Sequence, residues 1–188
     1  MLKWREIGAE ERKDWFETRL RRDFPADEVK PFELLEKLCA QGVYHCYMFF
    51  EQPETPVGYA YLMTAGRYTL LDYLAVEPSM RGGGYGSQIL PILVGMLPEG
   101  NTLMIEAENP ACAVNLEDRS VRLARVRFYK KAGMRMTEVL EKAFGVEFRI
   151  LTGGAELPDR EVADGLSAVY AAMLPETVFR QQFLVWIP

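Results

Sequence analysis

Two periods organise the apolar positions of the chain. Helical spacing appears over residues 10–22 (Trp15, Phe16, Leu20) and again up to Ala40 (Phe32, Leu34, Leu35, Leu38), where Gly42 ends it. Residues 23–28 between them read as a loop broken at Pro25. Residues 2–7 form a short first strand. Aromatic-rich residues 43–51 form a second, and residues 57–64 and 68–76 two more. They are joined by a two-proline turn at 52–56 and by Gly66, which predicts an antiparallel meander. After Pro78 comes a glycine-rich turn and an apolar helix over 84–97, kinked at Pro91, which cannot donate to the Ser87 carbonyl. A strand over 102–108, a helix over 118–132 ended by Gly133, and a hairpin of 134–140 with 146–152 follow. The C-terminal part holds a helix over 159–173 and an apolar tail over 183–187. The whole reads as an α/β layered domain: a mixed, mostly antiparallel, splayed sheet with helices on both faces.

Composition narrows the function classes. The chain has 188 residues, 49% hydrophobic and 26% charged, enough for one well-packed domain with an appendage. Its net charge of −5 speaks against a general nucleic-acid binder. His45 is the sole histidine, and Cys39, Cys46 and Cys112 match no zinc spacing, so no metal is expected. His45 and Cys112 read as structural. The N-terminal stretch lacks a signal-peptide core, and the longest apolar run, near 89–97, is too short to span a bilayer. A cytoplasmic protein with free thiols and no membrane partner is the expectation.

The most informative segment is Arg81-Gly-Gly-Gly-Tyr-Gly86, placed between a strand and a helix. Glycines allow positive φ and close approach of a ligand to the backbone. The first turn of the helix offers N–H groups without intrahelical partners and the positive dipole end, together an anion site. A dinucleotide fingerprint fails on spacing, because its third glycine would fall on Ser87 or Ile89. A P-loop fails for want of the lysine. From Arg119 to Arg135 there are seven basic residues and no acid, which fits either a local anion site or a solvated helix face.

These residues resemble the GNAT superfamily of N-acetyltransferases. Leu74 to Gly86 is similar to its acyl-CoA motif, with Arg81, Gly84 and Gly86 meeting the core pattern. Phe128-Tyr-Lys-Lys-Ala-Gly-Met134 resembles a second family signature, and the strand Leu103-Met-Ile-Glu-Ala-Glu108 lies between the two. The resemblance covers about residues 1–152, taken as the acyl-CoA-binding catalytic domain. Residues 153–188 would then be a helical and apolar extension packed on it, acting as a cap on the acceptor pocket or as a homodimer contact.

The resemblance implies acetyl-CoA as co-substrate and a small amine or peptide amine as acceptor, with direct attack in a ternary complex. The backbone of Leu74, Ala75 and Val76 would pair with the pantetheine arm. The amides of Arg81, Gly82, Gly83, Gly84, Tyr85, Gly86 and Ser87 would hold the pyrophosphate. Arg125 and Lys131 on the basic helix would meet the adenosine phosphates. Tyr129 would be the general acid; otherwise it belongs to a core stripe with Val121, Ala124, Phe128 and Ala132. Glu106 is the preferred base, and Asp72 on the preceding strand is the second candidate.

Some positions depart from the pattern. Arg122 and Arg125 stand where the family often has Asn and Ala, and the connection 109–117 is long, which places it beside the acceptor site. Asp23, Asp27 and Glu28 favour a cationic acceptor such as a polyamine, an amino sugar or a peptide amine. A non-catalytic acyl-CoA sensor and a module for another phosphate ligand are the alternatives. Thermal shift separates the last of these: we predict that acetyl-CoA and CoA raise Tm, by an amount that grows with concentration, and that NAD and ATP do not. A larger shift with ATP or NAD would select the other ligand class.

Overall fold

The structure, a computed structural model, describes residues 2–52 and 55–188. Part of the expected 52–56 turn, Pro53 and Glu54, therefore lies outside the described residues. The elements are β1 (Lys3–Glu6), α1 (Ala9–Trp15), a π turn (Phe16–Leu20), α2 (Arg21–Asp23), α3 (Phe32–Ala40), β2 (Tyr44–Phe50), β3 (Pro56–Ala65) and β4 (Tyr68–Val76). Then follow a 3-10 turn (Pro78–Met80), α4 (Tyr85–Met96), β5 (Thr102–Glu108), α5 (Leu116–Lys131), β6 (Arg135–Ala143), β7 (Val146–Gly154), α6 (Asp159–Met173), α7 (Glu176–Gln182) and β8 (Phe183–Trp186). The strands form an open sheet in the order β1-β2-β3-β4-β5-β7-β6-β8.

The chain folds as two compact units: residues 1–63 with 72–86, and residues 64–71 with 87–188. In the first, β1 and β2 pair antiparallel from Lys3↔Phe50 to Glu6↔Tyr47, and β2 pairs β3 antiparallel across a bulge at Phe49/Phe50. Its core is aromatic. Trp15, Tyr44, Tyr59, Tyr61 and Tyr73 are all buried, and their rings meet edge-on or tilted at 5.6–6.1 Å. Leu35 and Leu38 of α3 are buried with them, as the helical spacing of that segment requires.

In the second unit β4 pairs parallel with β5 over Tyr68↔Thr102, Thr69↔Leu103 and Leu70↔Met104, the first three residues of each strand. β5 pairs antiparallel with β7 over its whole length, and β6 joins β7 and β8 in the same sense. The core is aliphatic: Ile89, Leu90 and Leu93 of α4, Leu103 and Ile105 of β5, Ile150 and Leu151 of β7, and Val162, Leu166 and Val169 of α6. α4 continues through Pro91 to Met96.

Three local expectations change. α5 starts at Leu116 rather than Asp118, because the Asn115 side chain accepts from the Asp118 N–H at 2.8 Å and caps the helix. This shortens the preceding connection, which also holds a 3-10 turn over Pro110–Cys112. The expected core stripe of α5 is not a core stripe: Val121 and Ala124 are exposed, and the helix has no buried residue. α7 adds a short helix before the apolar tail, and that tail pairs with β6 as β8.

Gly165 lies on the buried face of α6, where an added Cβ would stand 2.5 Å from Tyr68 Cδ1 and 2.8 Å from its Cγ. The ring leaves no room for a methyl. We predict that Gly165→Ala lowers stability by about 1–3 kcal/mol despite the better helix propensity of alanine. A melting temperature equal to or above that of the wild type would contradict this packing.

Candidate acyl-CoA site

The candidate residues divide between the two units. In the first, β4 delivers Leu74, Ala75 and Val76 to the glycine turn. Gly82 and Gly84 take φ of 83° and 76°, a region that other L-residues rarely adopt, and nothing stands within 4 Å of a Cβ built at either. The Gly83 N–H donates to Met80 O, closing the turn, and α4 begins at Tyr85. The first amides of that helix have no intrahelical acceptor, and its dipole presents positive charge at the same place. Ser87, the first residue of this stretch to belong to the second unit, is exposed.

The Arg81 side chain turns back from the loop. Its Nε donates to Val76 O at 3.0 Å and its guanidinium meets Asp23 Oδ1 at 2.9 Å. Asp23 also receives the Tyr59 hydroxyl at 3.1 Å and pairs with Arg22 at 2.7 Å, and its side chain is only 3% exposed. This carboxylate was expected to attract a cationic acceptor. Its partners instead tie the end of α2 to the glycine turn, and of the three acidic residues of the loop only Asp27 and Glu28 are exposed.

Asp72 is also engaged. Lys30 Nζ lies 2.6 Å from Oδ1, the Tyr44 hydroxyl donates to Oδ2 at 2.5 Å, and the carboxylate is nearly buried. Burial, reinforced by the charge of Asp72, holds the Tyr44 phenol well above its ordinary pKa. The neighbouring Tyr73 hydroxyl accepts from the Lys30 N–H at 3.0 Å and donates to Glu28 O at 2.8 Å. The loop before α3 is thereby pinned to β4. Beside it lies a cavity of about 300 Å³ whose lining includes the apolar Phe16, Val29 and Phe32 and the charged Lys30 and Glu33.

The second unit holds Glu106, Tyr129, Arg125 and Lys131. Tyr129 is half-buried near the end of α5. Desolvation raises its phenol pKa; the Arg125 charge opposes this, and the Glu106 charge adds to it. Glu106 Oε1 accepts the Tyr170 hydroxyl at 2.8 Å. The basic run is partly neutralised from within: Arg125 meets Glu108 at 2.7 Å, while Arg122 meets Asp118 at 2.8 Å and Glu108 at 3.3 Å and donates to Asn109 O. Arg119, Arg127, Lys130 and Lys131 are exposed. Arg122 thus closes the 109–115 connection onto α5, a use that the basic pattern alone does not reveal.

A family model described as "Acetyltransferase (GNAT) family" matches residues 4–134, most of the chain and both signature segments. The chain belongs to the GNAT acetyltransferase family. No curated protein sequence matches it. Among solved structures it is similar to a Bacteroides thetaiotaomicron protein assigned to the GNAT acetyltransferases, with 20% identity, TM-score 0.68, and 87% of this chain and 93% of that one covered. It is also similar to the Vibrio cholerae spermidine N-acetyltransferase in complex with CoA and spermine (11%, TM-score 0.60, 81% and 94%). A third is a GNAT family acetyltransferase from Elizabethkingia anophelis with acetyl-CoA bound (16%, TM-score 0.55, 82% and 98%). At these identities the likeness is one of fold.

This GNAT chain contains, among its described residues, no group of three or more His, Cys, Asp or Glu side chains placed to hold a metal ion, and no helix long and apolar enough to cross a membrane. His45 Nδ1 lies 3.0 Å from Glu6 Oε1, and Cys112 is exposed.

The Lys30–Asp72 pair gives a stability prediction. Removing the ammonium strands a nearly buried carboxylate, so Lys30→Met should destabilise the protein by about 3 kcal/mol. The double variant Lys30→Met with Asp72→Asn should recover part of that loss. A denaturant-unfolding cycle with additive effects would show that the pair is not coupled.

Proposed function

We propose that the chain transfers an acetyl group from acetyl-CoA to a primary amine by direct attack in a ternary complex. The observation that carries this reading is the glycine turn, with its two positive-φ residues and a helix start directly after them. The amides of Gly82 and of Gly84 to Ser87 donate to the diphosphate, while those of Arg81 and Gly83 close the turn onto Pro78 O and Met80 O, and the backbone of Leu74, Ala75 and Val76 pairs with the pantetheine amides. The Arg81 side chain braces the turn from behind. Exposed Lys131, with Arg125 shared with Glu108, supplies positive charge for the adenosine phosphates.

The chemistry needs a neutral amine, and a lysine-like amine has a pKa near ~10.4. Glu106 takes the amine proton, directly or through water. The neutral nitrogen attacks the thioester carbonyl and the C–S bond breaks; Tyr129 gives its phenolic proton to the departing sulphur, and the nitrogen sheds its surplus proton through water, which returns a proton to the phenolate. Its raised pKa keeps that proton in place across neutral pH. Asp72, already shared between Lys30 and Tyr44, serves better as an anchor of the acceptor-side loop than as the base. The acceptor class is a cationic amine, in line with the spermidine-acetylating neighbour from Vibrio cholerae. Residues 1–152 act as the catalytic domain and residues 153–188 as its extension.

The test is a thiol-release assay with acetyl-CoA against polyamines, amino sugars and peptide amines. We predict turnover with at least one of these. Tyr129→Phe should reduce kcat by about 10²-fold or more with little change in KM for acetyl-CoA, and should abolish the alkaline descent of the rate. Acetyl-CoA binding with no transfer to any amine would make the protein a sensor. An unchanged kcat in Tyr129→Phe would move the acid elsewhere.

A further inference from the structure

The matched family region ends at residue 134, yet the side chain that meets Glu106 comes from α6, beyond it. We propose that Tyr170 is a positioning residue for Glu106, its hydroxyl fixing the carboxylate in the orientation from which it receives the amine proton. The inference rests on the reading of Glu106 as the base.

The geometry is specific. The Tyr170 hydroxyl donates to Glu106 Oε1 at 2.8 Å, and the residue is 5% exposed. A buried phenol must place its O–H on an acceptor, and a carboxylate is the strongest one available to it. The ring itself cannot swing away. It stacks on Phe183 of β8 at 4.3 Å and 28°, and Phe183 stacks on Phe179 of α7 at 5.2 Å and 20°. α6 is held by a buried face of Val162, Leu166, Val169 and Met173. The C-terminal segment thus has a rigid aromatic column whose one polar tip is aimed at β5.

Other charged groups surround this carboxylate. Tyr129 on α5 is within electrostatic reach of it, with Arg125 beside Tyr129. Glu108 is next on the same face of β5 and is paired with Arg122 and Arg125. On β7 the residue opposite Glu106 is the apolar Ile150, and Arg149 is opposite Ala107, on the other face. Along the ladder, buried Glu141 of β6 stands opposite Phe148, which is itself opposite Glu108, so Glu141 shares the face of Glu106. On a face that also carries Glu108 and Glu141, the Tyr170 hydroxyl puts a hydrogen-bond donor on Glu106.

The experiment follows the Glu106 carboxyl carbon by NMR against pH in the full chain, alongside the pH profile of kcat/KM. In Tyr170→Phe, which keeps the ring and its stack, the midpoint should rise by about 1 unit. The acid limb of the rate should move up by the same amount, with KM for acetyl-CoA unchanged. Phe179→Leu loosens the aromatic column but spares the hydroxyl, and should leave both midpoints in place. In a Glu106→Gln background the Tyr170→Phe change should cost no further activity. An unmoved NMR midpoint overturns the role of Tyr170. An NMR midpoint that moves while the acid limb stays put overturns the assignment of Glu106 as base, and with it the catalytic part of the proposal. Equal shifts in Tyr170→Phe and Phe179→Leu would reduce Tyr170 to a packing residue.

Discussion

A peptide backbone that has to present its amides to an anion cannot also satisfy them internally, and this constraint shapes the region around Gly82 and Gly84. The turn is held by the Arg81 and Gly83 N–H groups, which donate to Pro78 O and Met80 O, and by side chains. Arg81 reaches back to the Val76 carbonyl and to Asp23, and Asp23 is fixed in turn by Arg22 and Tyr59. Glu77, just before the turn, takes Arg19 and Arg22. The charged groups near the turn therefore pair with one another as scaffolding, and on the proposed reading the positive potential for the ligand comes from the helix start and main chain. On that reading, this acidic protein binds a polyanion through a field that is local and mostly carried by dipoles.

In the proposed mechanism the proton donor is set by burial more than by neighbouring charge. Tyr129 owes its raised pKa first to desolvation, which suits a proton donor that must remain protonated until the leaving group forms. The Arg125 charge opposes this shift and the Glu106 charge adds to it, and Arg125 is itself paired with Glu108. On the proposed reading, Tyr170 gives the C-terminal segment a place in the same chemistry, as a donor that orients a carboxylate.

Elements whose signal is local were readable from the sequence. β5 and α6 have the expected bounds, because a short apolar run closed by Asn109-Pro and a helical stripe after Pro158 each carry their own punctuation. The family signatures were likewise readable, since the glycines and the Phe-Tyr pair are contiguous. The bounds of α5 were missed by two residues because the cap is a side chain, Asn115, that breaks no periodicity. The roles of Asp23 and Tyr170 were not legible at all. Their partners, Arg81 and Glu106, lie 58 and 64 residues away in the chain, and only the folded backbone brings such pairs together.

The most direct test of the account is a crystal structure of the protein with coenzyme A. The account predicts a diphosphate hydrogen-bonded to the amides between Gly82 and Ser87, with the pantetheine arm extended along Leu74 to Val76. A carrier bound elsewhere on the protein, or no binding at millimolar concentration, would contradict it.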